Sequence, residues 1–169
     1  LAGKPAISSK PKSELATFAA GCFWGVEETF RQLTGVLSTY VGYTGGNFEN
    51  PTYKDVCTDK TGHVEAVQIE FDPKLVTFEK LLDIFWSSHN PTTPNQQGPD
   101  YGSQYRSAIF FHSKKQQQSA LKSMNGLERS GKWEGRKIVT QIVPASKFFK
   151  AEEHHQKYLM KKGLSSCHF

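Results

Sequence analysis

The stretch HVEAVQIEF at 63–71 restricts the fold more than any other part of the chain. Its side chains alternate in steps of two, with Val64, Ala66, Gln68 and Glu70 on one side and Glu65, Val67, Ile69 and Phe71 on the other, the pattern of a half-buried strand. A slip of one residue would turn the apolar set to solvent, so the register is specified, and Glu65 shares a face with three apolar residues. An isolated carboxylate at such a position is either paired, solvated or forced into an apolar environment.

The flanking periodicities build an order around this strand. Residues 15–20 read as a first strand that Gly21 breaks; from Phe23, Val26, Phe30 and Leu33 mark an apolar helix face, with Glu27, Glu28, Arg31 and Gln32 outside. Gly35 ends that helix, residues 36–43 read as a strand, and TGGNFENPTYKD reads as a loop. After the Asp72-Pro73 turn, Phe78, Leu81, Leu82 and Phe85 mark a second helix, followed by the loop HNPTTPNQQGPDYG and a strand over 104–111. Strand, helix, strand, strand, helix, strand is the order of a ferredoxin-like (split βαβ) core, so the expected class is an α+β two-layer sandwich. A helix over 113–130, a short strand over 138–142 and a helix over 147–161 are predicted as C-terminal additions.

A chain of 169 residues with 37% hydrophobic and 12% aromatic content suits one core rather than two. Residues 1–13, LAGKPAISSKPKS, hold no acid and two prolines and are expected to form a flexible, trimmed arm, leaving 14–162 as the catalytic domain and 163–169 as a mobile tail. The net charge of +5 is spread without a basic run, and no stretch of eighteen apolar residues exists, so neither nucleic acid nor a membrane is an expected partner. With no apolar signal segment at the start, the expected location is the cytoplasm.

Three cysteines, at 22, 57 and 167, are too few for a disulfide framework and form no CxxC pair, which leaves buried thiols, reactive thiols or a mixture. Cys22, in AAGCFWGVEE, falls where a strand gives way to a helix. The helix dipole and free N–H groups there stabilise a thiolate. Beside it, Phe23 and Trp24 place two large aromatics in the first helical turn, where they line an apolar cup or pack into the core.

The motifs GCFWGVE at 21–27, VGYTGG at 41–46, NPTYKDVC at 50–57, TGHVEAV at 61–67 and HNPTTPNQQGPDYGSQYRSAI at 89–109, in this order, resemble the A-type peptide methionine sulfoxide reductases. The resemblance runs from about Phe18 to Lys161. It implies a split βαβ core, no metal or organic cofactor, and reduction of the S epimer of methionine sulfoxide, free or in proteins, with thioredoxin as reductant. By motif, Cys22 resembles the catalytic cysteine, Phe23 and Trp24 the pocket for the substrate methyl, Glu65 the acid, Tyr43 and Tyr105 the hydroxyls that hold the sulfoxide oxygen, and Asp100 a residue ordering the site around the thiolate.

Chemistry explains the need for these types. A thiolate attacks a sulfoxide sulfur only if the oxygen gains a proton as charge develops on it, and a desolvated Glu65 would stay protonated near neutrality and act as general acid. The product is a sulfenic acid on Cys22, which a second thiol converts to a disulfide. Cys167, in the short tail LSSCHF, is the expected resolving residue, and Cys57 is read as a structural thiol that could serve as an intermediate. His154 stands where the family often has Tyr; His154 and His155, being adjacent, point to different helix faces and form no two-ligand metal site. Two other functions compete: a thiol peroxidase, which would not need Glu65 beside an aromatic methyl pocket, and an RNA-binding module, whose RNP1 pattern is absent. A monomer is expected.

Overall fold

Why the active-site motifs converge is visible in the strand that begins the fold. In the computed structural model, which describes residues 13–163, β1 (Glu14–Ala19) lies in mid-sheet with Ala16 and Phe18 fully buried. It pairs antiparallel on one side with β3 (Val64–Phe71), from Glu14 opposite Phe71 to Phe18 opposite Val67. On the other side it pairs antiparallel with β6 (Ala108–Phe111). The strand β2 (Val36–Thr44) flanks β3 antiparallel, in a register that sets Tyr43 directly opposite Glu65. Two short strands complete the sheet: β7 (Gln141–Pro144), parallel to β6, and β8 (Phe149–Lys150), antiparallel to β2. The order is β7-β6-β1-β3-β2-β8, a mixed sheet, and with its helices the fold is α+β.

The connections β1 to β2 and β3 to β6 carry the helices α1 (Phe23–Arg31) and α3 (Phe78–Ser87). Phe18 is the hub of their packing, its ring stacked on Phe30 of α1 and on Phe78 and Phe85 of α3 at centroid distances of 5.3, 5.9 and 5.1 Å. A longer helix, α4 (Lys114–Arg129), starts from the Ser113 cap, close to the 113–130 predicted.

Four sequence expectations are corrected. Glu27 and Glu28, assigned to the outer face of α1, are buried: Glu27 finds donors inside the protein and Glu28 binds Arg31 along the helix. The loop before β3 contains a short helix, α2 (Tyr53–Cys57), nucleated by a reciprocal capping box between Thr52 and Asp55. The strand over 104–111 begins only at Ala108, after a 3₁₀ turn at Ser103–Tyr105. The helix over 147–161 does not form. In its place β8 pairs with Gly42 and Tyr43, a 3₁₀ turn spans Glu153–His155, and α5 (Tyr158–Lys161) follows a left-handed Lys157 with φ 52°. The long-range bonds of this segment outweigh its helical spacing: the buried Gln156 amide spans the Val41 N–H and C=O along the edge of β2, and the Lys157 N–H donates to Glu27. Among the described residues, no helix is long and apolar enough to cross a membrane.

Candidate active site

Gly21 turns the chain out of β1 with φ 98°, a conformation costly for other residues, and a Cβ there would meet the Gln97 side chain at 2.9 Å. Cys22, next in the chain, is the half-buried N-cap of α1. The first amide of α1, Phe23 N–H, donates to Glu65 Oε1 at 3.2 Å, so the thiol and the carboxyl are joined through one peptide unit.

Glu65 is 1% exposed, and its second oxygen has no hydrogen-bond partner among the described residues. Burial pushes its pKa up to about 8; the Phe23 N–H opposes that rise and the charge of Asp100 adds to it. At neutral pH the group therefore holds a proton, and one of its oxygens is left without a hydrogen-bond partner among the described residues.

Two hydroxyls lie near this carboxyl and near one another, those of Tyr53 on α2 and Tyr105 in the 3₁₀ turn. Burial is the main cause of the rise of each, and Tyr105 is pushed up to about 12, with Asp100 and Cys22 contributing. Both phenols are thus neutral donors. Asp100 sits on β5 (Asp100–Tyr101), which forms a small hairpin with β4 (Gln96–Gln97), and burial raises its carboxyl.

Tyr43 is brought to the cluster in another way. Its ring is fully buried against Phe23, centroids 5.8 Å apart, while its hydroxyl donates to Glu152 Oε1 at 2.8 Å. The other Glu152 oxygen accepts the Tyr53 N–H at 2.9 Å, so one carboxylate ties β2 to the start of α2. Trp24 stacks on Tyr158 at 3.9 Å and 11° and donates its indole N–H to His155 Nδ1 at 3.0 Å.

Cys22, Phe23, Trp24, Glu65, Asp100 and Tyr105 are therefore drawn into one neighbourhood, with Tyr43 beneath them. Cys57 is an exposed residue at the end of α2, and desolvation pushes its thiol up. Cys167 lies outside the described residues. Sequence reading missed Tyr53, Glu152 and His155. Tyr53 belongs to the NPTYKDVC motif, and the Thr52–Asp55 spacing that caps its helix was a usable signal. Glu152 and His155 carried none, because a helical reading of 147–161 points them elsewhere.

Residues 14–169 match the family model described as peptide methionine sulfoxide reductase. The chain is 59% identical over 151 residues to the peptide methionine sulfoxide reductase MsrA of Methanosarcina acetivorans, covering 89% of this chain and 80% of that protein. It is 54% identical over 154 residues to the peptide methionine sulfoxide reductase A2 of Arabidopsis thaliana, covering 91% and 69%. Among solved structures it resembles methionine sulfoxide reductase A of Corynebacterium diphtheriae (TM-score 0.87, 37% identity, 94% of this chain and 79% of that one). It likewise resembles Mxr1 of Saccharomyces cerevisiae in reduced form (0.84, 38%, 90% and 87%) and the same yeast protein in complex with Trx2 (0.62, 30%, 87% and 85%). The chain belongs to the peptide methionine sulfoxide reductase family.

Proposed function

We propose that this chain reduces methionine S-sulfoxide, free and in proteins, with Cys22 as nucleophile and Glu65 as proton donor. The observation that carries the reading is the buried Glu65 carboxyl, protonated at neutral pH, with one oxygen held by the amide next to Cys22 and the other without a partner among the described residues. The Cys22 thiolate attacks the sulfoxide sulfur while Glu65 gives its proton to the oxygen. The methionine S–O bond breaks, the oxygen passes to Cys22 as sulfenic acid, and methionine leaves. Tyr53 and Tyr105 are the neutral donors that support charge on that oxygen; Tyr53 takes the place first given to Tyr43, whose hydroxyl is spent on Glu152. Phe23 and Trp24 wall the apolar cup for the substrate methyl, and burial, with a smaller contribution from the Asp100 charge, keeps Glu65 protonated.

Resolution falls to Cys167, whose thiol attacks Cys22, expels water and leaves a disulfide for thioredoxin to reduce. Support for that reductant is the yeast relative solved in complex with Trx2. The domain reading places the chemistry in 14–162 and the resolving thiol in the tail 163–169. A reducing compartment such as the cytoplasm suits this cycle. The antiparallel run β6-β1-β3-β2, with a helix between β1 and β2 and another between β3 and β6, supports a split βαβ, two-layer core.

The test is stoichiometric. Mixed with methionine S-sulfoxide and no reductant, the protein should release one methionine, lose two thiols and yield a peptide joining the regions of residues 22 and 167. Cys22→Ser should release none. A variant at Cys22 that still releases methionine removes that thiol from the mechanism, and a bridge from Cys22 to Cys57 moves the resolving role to Cys57.

A further inference from the structure

The 3₁₀ turn at Glu153–His155 carries a histidine that the proposed chemistry does not use, yet that histidine touches the cup. The His155 residue is 3% exposed, and its ring lies against Tyr53, Phe23, Trp24 and His154 at centroid distances of 4.7, 5.4, 5.7 and 4.1 Å. Indole nitrogen is a donor and never an acceptor. The 3.0 Å bond from Trp24 Nε1 therefore requires a lone pair on His155 Nδ1, which puts the ring proton on Nε2 and makes the imidazole neutral. Nε2 is buried and has no partner among the described residues, so the one strong bond the ring makes there is the one at Nδ1, the atom that a second proton would have to occupy.

The residues that follow hold the ring in place. Gln156 is bonded to the Val41 N–H and C=O and to the Ala151 carbonyl, and the next amide, Lys157 N–H, donates to Glu27 Oε1 at 2.6 Å. The stack on Tyr158 holds the plane of the Trp24 ring but leaves it free to slide and rotate within that plane. A directional bond at the indole nitrogen removes that freedom.

We propose that His155 is a positioning residue: as the neutral Nε2–H tautomer it accepts the Trp24 indole N–H and fixes that ring in the wall of the methyl cup, so that the cup is complete only while the imidazole is unprotonated. The proposal rests on the reading of Trp24 as part of the substrate's methyl site. Protonation would set N–H against N–H. Around the ring, α2 contributes Tyr53, α1 Phe23 and Trp24, β2 Tyr43 through Phe23, α5 Tyr158 across the indole, and its own turn His154 and Glu152. Of these Glu152 favours the imidazolium and His154 opposes it, while burial, the largest influence, holds the pKa below the ordinary histidine value. The imidazole is thus neutral at neutral pH, and acid should release the indole.

Two substitutions separate hydrogen bonding from packing. His155→Asn sets an amide oxygen near the place of Nδ1 and does not titrate; His155→Phe keeps a ring and has no acceptor. The direct readout is hydrogen exchange of the Trp24 indole N–H, followed by NMR. At about pH 7.5 wild type and His155→Asn should protect it alike, whereas in His155→Phe exchange and the KM for methionine S-sulfoxide should each rise about tenfold, with the single-turnover rate at saturating substrate within about twofold. Lowering the pH from about 7 to about 5 should erase protection in wild type and leave His155→Asn unchanged. Equal behaviour of the two variants, or wild-type protection that persists at low pH, overturns the proposal. Trp24→Ala tests the underlying reading separately: an unaltered KM there removes the methyl cup, while the indole exchange still reports on the His155 bond.

Discussion

Two glutamates of this protein are buried to the same degree, 1% exposed each, and they serve opposite ends. Glu27, on the body of α1, accepts the Thr39 hydroxyl at 2.7 Å on one oxygen and the Lys157 N–H at 2.6 Å on the other. Glu65, reaching the first turn of the same helix, accepts one N–H at 3.2 Å and leaves an oxygen with no donor among the described residues. Burial raises both, but the donors around Glu27 offset part of the rise, whereas Glu65 climbs to about 8. Burial alone therefore does not mark a chemical carboxyl. The number of donors supplied to it does: Glu27 is a clamp that holds the left-handed Lys157, and Glu65 is kept as an acid.

The largest effect that sharpens this contrast is kinetic. Glu65→Gln keeps an acceptor for the Phe23 N–H and removes the proton, so the sulfoxide-reducing step, measured in single turnover, should slow by roughly 10² to 10⁴. In wild type the same rate constant should fall as pH rises through about 8, the value at which Glu65 loses its proton, and the variant should lack that limb. A variant that forms sulfenic acid at the wild-type rate would sink the assignment of the acid.

A similar contrast separates two tyrosines. Tyr53→Phe removes a hydroxyl that lies with Tyr105 near Glu65 and should cost roughly 10² in the same step. Tyr43→Phe removes only the bond to Glu152 and should cost less than about tenfold, roughly the weight of one ordinary hydrogen bond. The reverse order would return the catalytic hydroxyl to Tyr43.

These pairs also show how far the sequence could be read. Local periodicity placed α1, β3 and α3, because the apolar spacing of each marks the face it buries, and β1, β2 and α4 were read as elements around them. The strand-to-helix step at Gly21 and Cys22 and the carboxyl on an apolar face were visible for the same reason. Three things were not. The inward turn of Glu27 depends on a backbone amide 130 positions away, which no helical wheel contains. Tyr53 was hidden because its helix has only five residues, too short for a periodic signal and stabilised by its cap. The segment over 147–161 has helical spacing and even a run of helix formers, but Glu152, Gln156 and Lys157 make bonds to β2, α1 and α2 that a continuous helix could not make. Local preference lost to tertiary hydrogen bonding there.

The smallest expected effect concerns stability, and it tests whether the two glutamates differ in energy as they do in contacts. For Glu65 the ordinary value is 4.5 and the folded value about 8, so the folded protein holds the proton more tightly than the unfolded chain. Stability from this group is then fully present below 4.5 and is lost as pH rises toward about 8. Glu65→Gln does not titrate and escapes that loss. Between pH 4.5 and about pH 7 its stability relative to wild type should therefore improve by on the order of 2–3 kcal/mol, from one pKa unit being worth about 1.4 kcal/mol. The absolute difference at one pH is less informative, since the amide buries an N–H₂ where the carboxyl had an oxygen. Glu27→Ala should move the other way at neutral pH, losing about 2–3 kcal/mol because the Thr39 hydroxyl and the Lys157 N–H are left without their acceptor. Urea unfolding at the two pH values measures both variants. If the gap between Glu65→Gln and wild type stays constant across that range, Glu65 is ionised at neutral pH like an ordinary carboxylate, and it cannot be the acid that protonates the sulfoxide.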